Sequence, residues 1–253
     1  MKIRLPLLSV SIFSIAMAWV ESAVVLDLRV LVGRLQPYQP NPLPHFGGLS
    51  QAEIVREVAT LVMLLAVGWL AGERPRTRLA YSAFAFGLWD IFYYLFLIPL
   101  TGWPKSLLNW DILFLLPVPW WGPVIAPIAI SFLMITGGML VILIDGRARP
   151  ACLNVWFLAA GLIGAGMMFY AFTADAFAAF SRGMDAIRQV LPVTFRWNIF
   201  LPGLFLMAVP VMAMAGQVIG LLKKREINTM MDAIFDLYAS ILVFLAGWPG
   251  LTY

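Results

Sequence analysis

The chain has little charge and no long polar stretch, which excludes an ordinary soluble protein. Of its 253 residues only 12% are charged and 62% are hydrophobic, and the mean hydropathy is +0.90. Soluble domains average about 25% charged residues, and no apolar-poor stretch here exceeds about 25 residues, well short of a domain. We therefore predict an all-α, polytopic integral membrane helix bundle in which residues 1–253 form a single transmembrane domain.

Cysteine and histidine, the side chains behind many metal and redox sites, are almost absent. Cys152 is the only cysteine, which excludes a disulfide within the chain and a cysteine-based metal cluster. His45 is the only histidine, which argues against a histidine-based zinc site, a haem-ligating pair and a Ser-His dyad. No glycine-rich phosphate loop follows a strand pattern. The sequence therefore predicts no metal and no cofactor, and leaves open whether the protein is an enzyme.

Apolar runs dominate what is present, and six of them are long enough to cross a bilayer, which takes about 20 helical residues. They cover approximately residues 5–32, 53–72, 79–100, 123–144, 153–173 and 197–222. The first is typical of an uncleaved signal anchor, although Ala16-Met17-Ala18 resembles a cleavage site and leaves removal open. Residues 229–248 are long enough for a seventh crossing, but Asp232 and Asp236 in their first turns also suit a surface helix.

The segments between these runs have distinct patterns. Residues 35–49 are rich in proline and predict an external loop, after which Ser50 to Glu53 resemble a capping box. Residues 107–121 are too short to cross and are broken by prolines, so we predict an interfacial or re-entrant turn with Asp111 as the N-cap of a short helix. Residues 174–191 predict an amphipathic interfacial helix on the outer surface.

Two features indicate how the helices pack and which way the chain runs. The pairs Ala160/Gly164 and Gly161/Ala165 have the small-xxx-small spacing that lets two helices approach closely. Short basic segments favour the cytoplasmic side, so we predict a cell (inner or plasma) membrane protein with its N-terminus in the cytoplasm. The basic residues on that side would be Lys2, Arg4, Arg74, Arg76, Arg78, Arg147, Arg149, Lys223, Lys224 and Arg225.

The same basic residues indicate which partners to expect. The net charge is +4, but the basic residues stand in short runs beside apolar spans, which is a topology signal and not a nucleic-acid-binding stripe. The predicted partner is the lipid bilayer. Other membrane proteins, or a second copy of the chain, remain open as further partners.

Ionisable residues within the apolar runs identify a candidate site. Asp90 lies in the middle of the third run, where a bare carboxylate costs about 2.5–3.5 kcal/mol. Arg56, Glu57 and Glu21 fall in the outer halves of their helices, and Tyr94 lies one turn outward of Asp90. We predict that these five residues form an outward-facing binding or proton/cation site. The alternative is a fixed structural pair between Asp90 and Arg56, or a bond from Asp90 to neighbouring tyrosines or tryptophans.

Three functions fit this pattern. Three acids against one deep arginine favour a small transporter or proton/cation-handling protein. A non-catalytic subunit or scaffold of a larger membrane complex is the first alternative, and a membrane enzyme acting on a lipid or isoprenoid is the second. A divalent metal held by Glu21, Glu57, Asp90 and His45 is a minor variant. Two-aspartate chemistry is disfavoured, because Asp90 and Asp111 are predicted at depths that differ by most of half a bilayer.

Overall fold

Helices form most of the part of the chain that the computed structural model describes, which is residues 3–33, 36–39, 48–223 and 239. The elements in order are α1 (Arg4–Leu31), α2 (Gly48–Ala71), α3 (Pro75–Thr101), β1 (Trp110–Ile112), β2 (Trp121–Pro123), α4 (Ile125–Ile144), a 3-10 turn (Ala151–Leu153), α5 (Val155–Phe180), α6 (Met184–Arg188) and α7 (Trp197–Lys223). Six of the described helices are long and apolar enough to cross a membrane. The predicted all-α membrane bundle is confirmed, whereas His45 and the predicted crossing at residues 229–248 lie outside the described residues.

Helix α3 is the centre of the bundle. It packs against α1, α2 and α4, while α7 packs against α4 and α5. Of the most apolar stretch of α3, 56% is buried, against at most 44% for the other five long helices. A helix that carries a carboxylate is favoured at such a position, because intramembrane ionisable groups turn toward protein and away from lipid. Asp90 accordingly has only 7% of its surface exposed.

A glycine brings α3 and α4 close together beside Asp90. A Cβ atom added at Gly87 would lie 2.5 Å from the backbone oxygen of Ser131 on α4. A second close approach lies further along the same interface, where a Cβ at Gly138 would lie 2.5 Å from the backbone oxygen of Ala80. Small residues allow such contacts between membrane helices. The approach at Gly87 places the Ser131 hydroxyl within hydrogen-bonding distance of Asp90.

We expect Gly87→Ala to destabilise the protein by about 1–3 kcal/mol, because the added methyl group overpacks the contact with Ser131. Thermal unfolding in detergent measures this effect. Gly161→Ala on α5 is the matched control, since nothing lies within 4 Å of the Cβ position there. Equal stability of the two variants would show that the α3–α4 interface accommodates a larger residue and that Gly87 does not determine the spacing.

The predicted small-residue face of α5 makes only part of the expected contact. A Cβ at Gly164 would lie 2.5 Å from the backbone oxygen of Gly203, so the Ala160/Gly164 pair faces α7. Gly161 of the second pair has open space around its Cβ position. The α5–α7 contact therefore uses one glycine from each helix.

The segment between α3 and α4 is a β-hairpin and not the predicted short helix. Strands β1 and β2 pair antiparallel, with Asp111 opposite Gly122, and the Leu113 amide extends the ladder to the Trp120 carbonyl. The turn contains Pro117 and Pro119, which lack the N–H that a helix needs. Tryptophan and isoleucine in β1 favour a strand. Asp111 is consequently a strand residue, and its prediction as an N-cap was wrong.

The interfacial helix is shorter than predicted. Residues 174–180 continue α5, and only Met184–Arg188 form a separate helix, α6. Gly183 separates the two with a φ of +94°, a conformation that glycine adopts without steric penalty. The amphipathic pattern of residues 174–191 therefore spans two elements joined by a turn.

The hairpin, α6 and residues 36–39 gather at one end of the bundle, which we name the hairpin end. The Tyr38 hydroxyl donates to the Pro192 carbonyl at 2.8 Å, and its ring stacks on Trp110 with centroids 5.7 Å apart. At the opposite end Arg74 and Arg76, which flank the start of α3, both bind Asp145 after α4. Successive connections between the long helices lie at alternate ends of the bundle, as expected when successive helices cross in opposite directions.

Candidate functional site

A cavity of about 420 Å³ lies at the hairpin end, between α1, α2, α3 and the hairpin. All five residues proposed from sequence line it: Glu21, Arg56, Glu57, Asp90 and Tyr94. Three further charged residues lie on the same wall: Arg29, Glu53 and Asp111. The structure thus brings the predicted residues together, while their role in binding stays a prediction.

Asp90 is held by a hydroxyl group from α4. The Ser131 Oγ donates to the Asp90 Oδ2 at 2.8 Å, and Ser131 is completely buried. Among the described residues no ion pair joins Asp90 to Arg56, so the alternative of a fixed pair between these two is wrong. The Asp90 carboxylate therefore faces the cavity without a guanidinium bound to it.

Arg56 is instead bound by two other carboxylates. It pairs with Glu21 on α1, and its Nη2 lies 2.8 Å from the Oε2 of Glu53. Thr60 also donates to Glu21, at 3.3 Å. Glu53 was predicted as a capping residue, but α2 begins at Gly48 and places Glu53 in its second turn, one turn before Arg56. This cluster joins α1 to α2 and neutralises the guanidinium.

Glu57 joins α2 to the hairpin. Its two carboxylate oxygens accept from the Leu115 backbone N–H at 2.9 and 3.1 Å, and only 8% of the residue is exposed. A buried N–H needs such an acceptor, because a backbone donor left without one loses its hydrogen bond to water. Glu57 thereby fixes the turn of the hairpin over the cavity.

We expect Glu57→Ala to lower the stability of the hairpin by about 1–3 kcal/mol, because the Leu115 N–H loses its acceptor. Hydrogen–deuterium exchange of the peptide that contains Leu115 measures the effect and should become faster. Glu57→Gln is the matched control, since its amide oxygen still accepts the bond. Unchanged exchange in Glu57→Ala would mean that the turn is held by other contacts.

Asp111 lines the same cavity as Asp90, although the two residues were predicted at different depths in the membrane. The Tyr94 hydroxyl donates to the Asp111 Oδ2 at 3.1 Å, and the Arg29 Nη2 lies 3.5 Å from its Oδ1. Arg29 also lies over the Trp103 ring, 4.4 Å from its centroid. The hairpin is outside the six spanning helices, and burial raises the pKa of Asp111 to about 6, although the Arg29 guanidinium opposes this.

Sequence reasoning missed Asp111 and Arg29 as members of this site. Sequence alone places Arg29 and Arg196 at the rim, because both lie at the end of an apolar run, yet only 8% of Arg29 is exposed. The repeated Trp-Asp-Ile of residues 89–91 and 110–112 was the available signal, since both aspartates line the cavity. Arg196, the other residue expected at the rim, pairs with Asp175 at 2.6 Å and does not line the cavity.

Aromatic rings form another part of the wall. Trp89 and Tyr93 stack with centroids 6.2 Å apart and an interplanar angle of 26°, and Phe114 of the hairpin also lines the cavity. Trp89 is 6% exposed, and its indole nitrogen is buried without a hydrogen-bond partner among the described residues. The site therefore combines carboxylates with aromatic faces and one buried donor.

The charges on the wall do not balance. Five carboxylates (Glu21, Glu53, Glu57, Asp90 and Asp111) face two guanidinium groups (Arg29 and Arg56), and both guanidinium groups pair with carboxylates. Within the described ranges no group of three or more histidine, cysteine, aspartate or glutamate residues could hold a metal ion. The wall therefore has an excess of negative charge without a metal-binding geometry.

Comparisons with known proteins supply no relative from which a function could be transferred. No family model, no curated protein and no solved structure matches this chain. The function has to be argued from the geometry and the charge of the cavity.

Proposed function

We propose that the protein is a small transporter that moves a cation or a proton across the membrane and binds it in this cavity. The supporting observation is the position of Asp90. It is buried in the middle of the central helix, lines an acidic cavity and, among the described residues, forms a side-chain hydrogen bond only with the Ser131 hydroxyl. An intramembrane carboxylate without a cationic partner is unfavourable, and such residues commonly mark ion and proton pathways.

The balance of charge favours a cation over an anion as the occupant. Arg56 is bound by Glu21 and Glu53, and Arg29 by Asp111, so neither guanidinium is left for an anionic ligand. Asp90 and Glu57 make no ion pair with a described residue. A bound cation would neutralise Asp90, and a proton on the same carboxyl group would do so when the cation is absent.

The proposed direction places the N-terminus in the cytoplasm of the cell membrane, so that the hairpin end faces outward. The basic residues Arg74, Arg76 and Arg147 at the opposite end support this orientation, because arginine and lysine are enriched in cytoplasmic loops. The cavity would then fill from the outside.

A second candidate is a membrane enzyme that acts on a lipid or isoprenoid. The observation that favours it is the presence of both Asp90 and Asp111 on one cavity wall, since a pair of carboxyl groups can divide the roles of acid and base. An enzyme would convert its substrate chemically, whereas a transporter returns it unchanged.

Purified protein in liposomes tests the proposal. We expect an imposed membrane potential to drive a proton or cation current, followed with a pH-sensitive dye and with ion electrodes, above that of liposomes without protein. The probes are protons, Na⁺, K⁺ and small organic ammonium ions. The absence of a current for every probe would contradict the proposal and leave the enzyme and the scaffold as the remaining hypotheses.

A further inference from the structure

We infer that the ligand of the cavity is a small organic ammonium ion. This inference rests on the proposed function, since it names the substrate class of the same site. Two observations carry it: the volume of the cavity and the aromatic rings beside Asp90.

The cavity fits an organic molecule better than a bare metal ion. Its volume of about 420 Å³ falls in the range of roughly 300–1,000 Å³ that is usual for small-molecule sites. A hard metal cation would need about six to eight converging oxygen atoms. The carboxylates of the wall instead bind separate partners: Glu53 binds Arg56, and Glu57 accepts from the Leu115 amide. No metal-binding group occurs in the described part of the chain.

Aromatic faces beside a carboxylate are suited to an ammonium group. Asp90 and Tyr93 are three residues apart on α3 and therefore share a helix face, and Trp89 stacks on Tyr93. Aromatic rings attract organic cations through their electron-rich faces, most strongly where water is excluded. The ammonium group would lie between the Asp90 carboxylate and these rings, which supply contacts that a hydrated metal ion does not need.

The charged groups of the wall disfavour an anionic group on the ligand. Arg29 and Arg56 are already bound by acids, so a carboxylate on the ligand would find no free guanidinium. Asp90 makes no ion pair with a described residue and can face the ammonium group.

Binding of three probes to the purified protein tests this inference. They are choline, tetramethylammonium, and the neutral isostere of choline in which a carbon atom replaces the nitrogen. We expect choline to bind at least about tenfold more tightly than its neutral isostere, which corresponds to roughly 1.4 kcal/mol. Tetramethylammonium, which keeps the positive charge without the hydroxyl group, should also bind more tightly than the neutral isostere. Isothermal titration calorimetry measures all three.

Two variants connect these preferences to the residues. Asp90→Asn should remove the preference for choline over its neutral isostere, and Trp89→Leu should weaken choline binding several-fold, because the aromatic face is lost. Trp156→Leu is the matched control, because Trp156 on α5 is 78% exposed and does not line the cavity. If neither cavity variant folds, the comparison of choline with its neutral isostere on the wild type still decides the inference.

The outcomes separate this inference from the proposed function. Equal binding of choline and its neutral isostere, or no binding of either ammonium ion, would overturn the inference even if the liposomes carry a proton current. Selective binding of choline without any current would support the ligand class and contradict transport. Selective binding that Trp89→Leu and Trp156→Leu leave equally unchanged would overturn the contact between the ammonium group and the aromatic rings.

Discussion

Replacing Asp90 by asparagine should abolish the proton or cation current while leaving the protein folded. Asparagine has nearly the volume of aspartate, and its amide oxygen still accepts the hydrogen bond that Ser131 donates at 2.8 Å. The amide cannot ionise, so it neither binds a cation through charge nor carries a proton. The current should fall to that of liposomes without protein, and the melting temperature in detergent should stay within a few degrees of the wild type.

Asp175→Asn is the matched control for this variant. Asp175 also lies in a long helix, but it pairs with Arg196, its side chain is 36% exposed, and it does not line the cavity. Its current should equal that of the wild type, because Asp175 does not line the cavity. Its stability should change little, because exposed ion pairs contribute little to the free energy of unfolding. A normal current in Asp90→Asn would remove Asp90 from any transport mechanism.

The long helices could be predicted from sequence because the bilayer imposes their length. Each apolar run had to satisfy its backbone internally over about 30 Å of hydrocarbon, which leaves the helix as the solution for a chain of this kind. The buried position of Asp90 could be predicted from the same bilayer constraint, since a carboxylate in the middle of a membrane helix turns toward other helices. The contact with Ser131 could not, because it depends on the close approach that Gly87 permits across two helices.

The hairpin shows where local sequence stops being informative. Trp110 to Ile112 could form a helix or a strand by propensity, and the choice depends on their pairing with Trp121 to Pro123 and on the bond between Leu115 and Glu57. These partners are about ten to sixty residues away, a distance that no short-range pattern records. The burial of Asp111 was missed in consequence, because a hairpin that folds into the end of the bundle buries what a surface helix would expose.

Tyr94 links the helix that carries Asp90 to the strand that carries Asp111. It lies one turn from Asp90 on α3 and donates its hydroxyl to Asp111 on β1. The hairpin is therefore attached to the central helix through Tyr94, to α1 through Arg29 and to α2 through Glu57. All three attachments involve residues that line the cavity, so a change in the charge of the cavity would act directly on the element that covers it.

The Arg29–Asp111 pair should contribute the largest single term to the stability of this end of the bundle. We expect Arg29→Met to destabilise the protein by about 3–5 kcal/mol, because it leaves the buried Asp111 carboxylate without its cation. The double variant Arg29→Met with Asp111→Asn should lose less, since the remaining amide is neutral and still accepts from Tyr94. A double-mutant cycle of chemical unfolding measures the coupling.

The pH dependence gives this prediction a sign. Burial already raises the pKa of Asp111 to about 6, and loss of the guanidinium would raise it further. A raised pKa means that the folded protein binds the proton more tightly than the unfolded chain does. The free energy of unfolding therefore falls as the pH rises from the ordinary pKa of an aspartate to the raised pKa. The defect of Arg29→Met should therefore be largest at and above neutral pH, shrink as the pH falls toward about 6, and be small below it, where Asp111 is protonated in both folded proteins. Arg196→Met, which breaks a partly exposed pair with Asp175, should cost less than about 1 kcal/mol. A defect of that same small size in Arg29→Met would show that Asp111 is already neutral in the folded protein, and that Tyr94 alone holds the hairpin to α3.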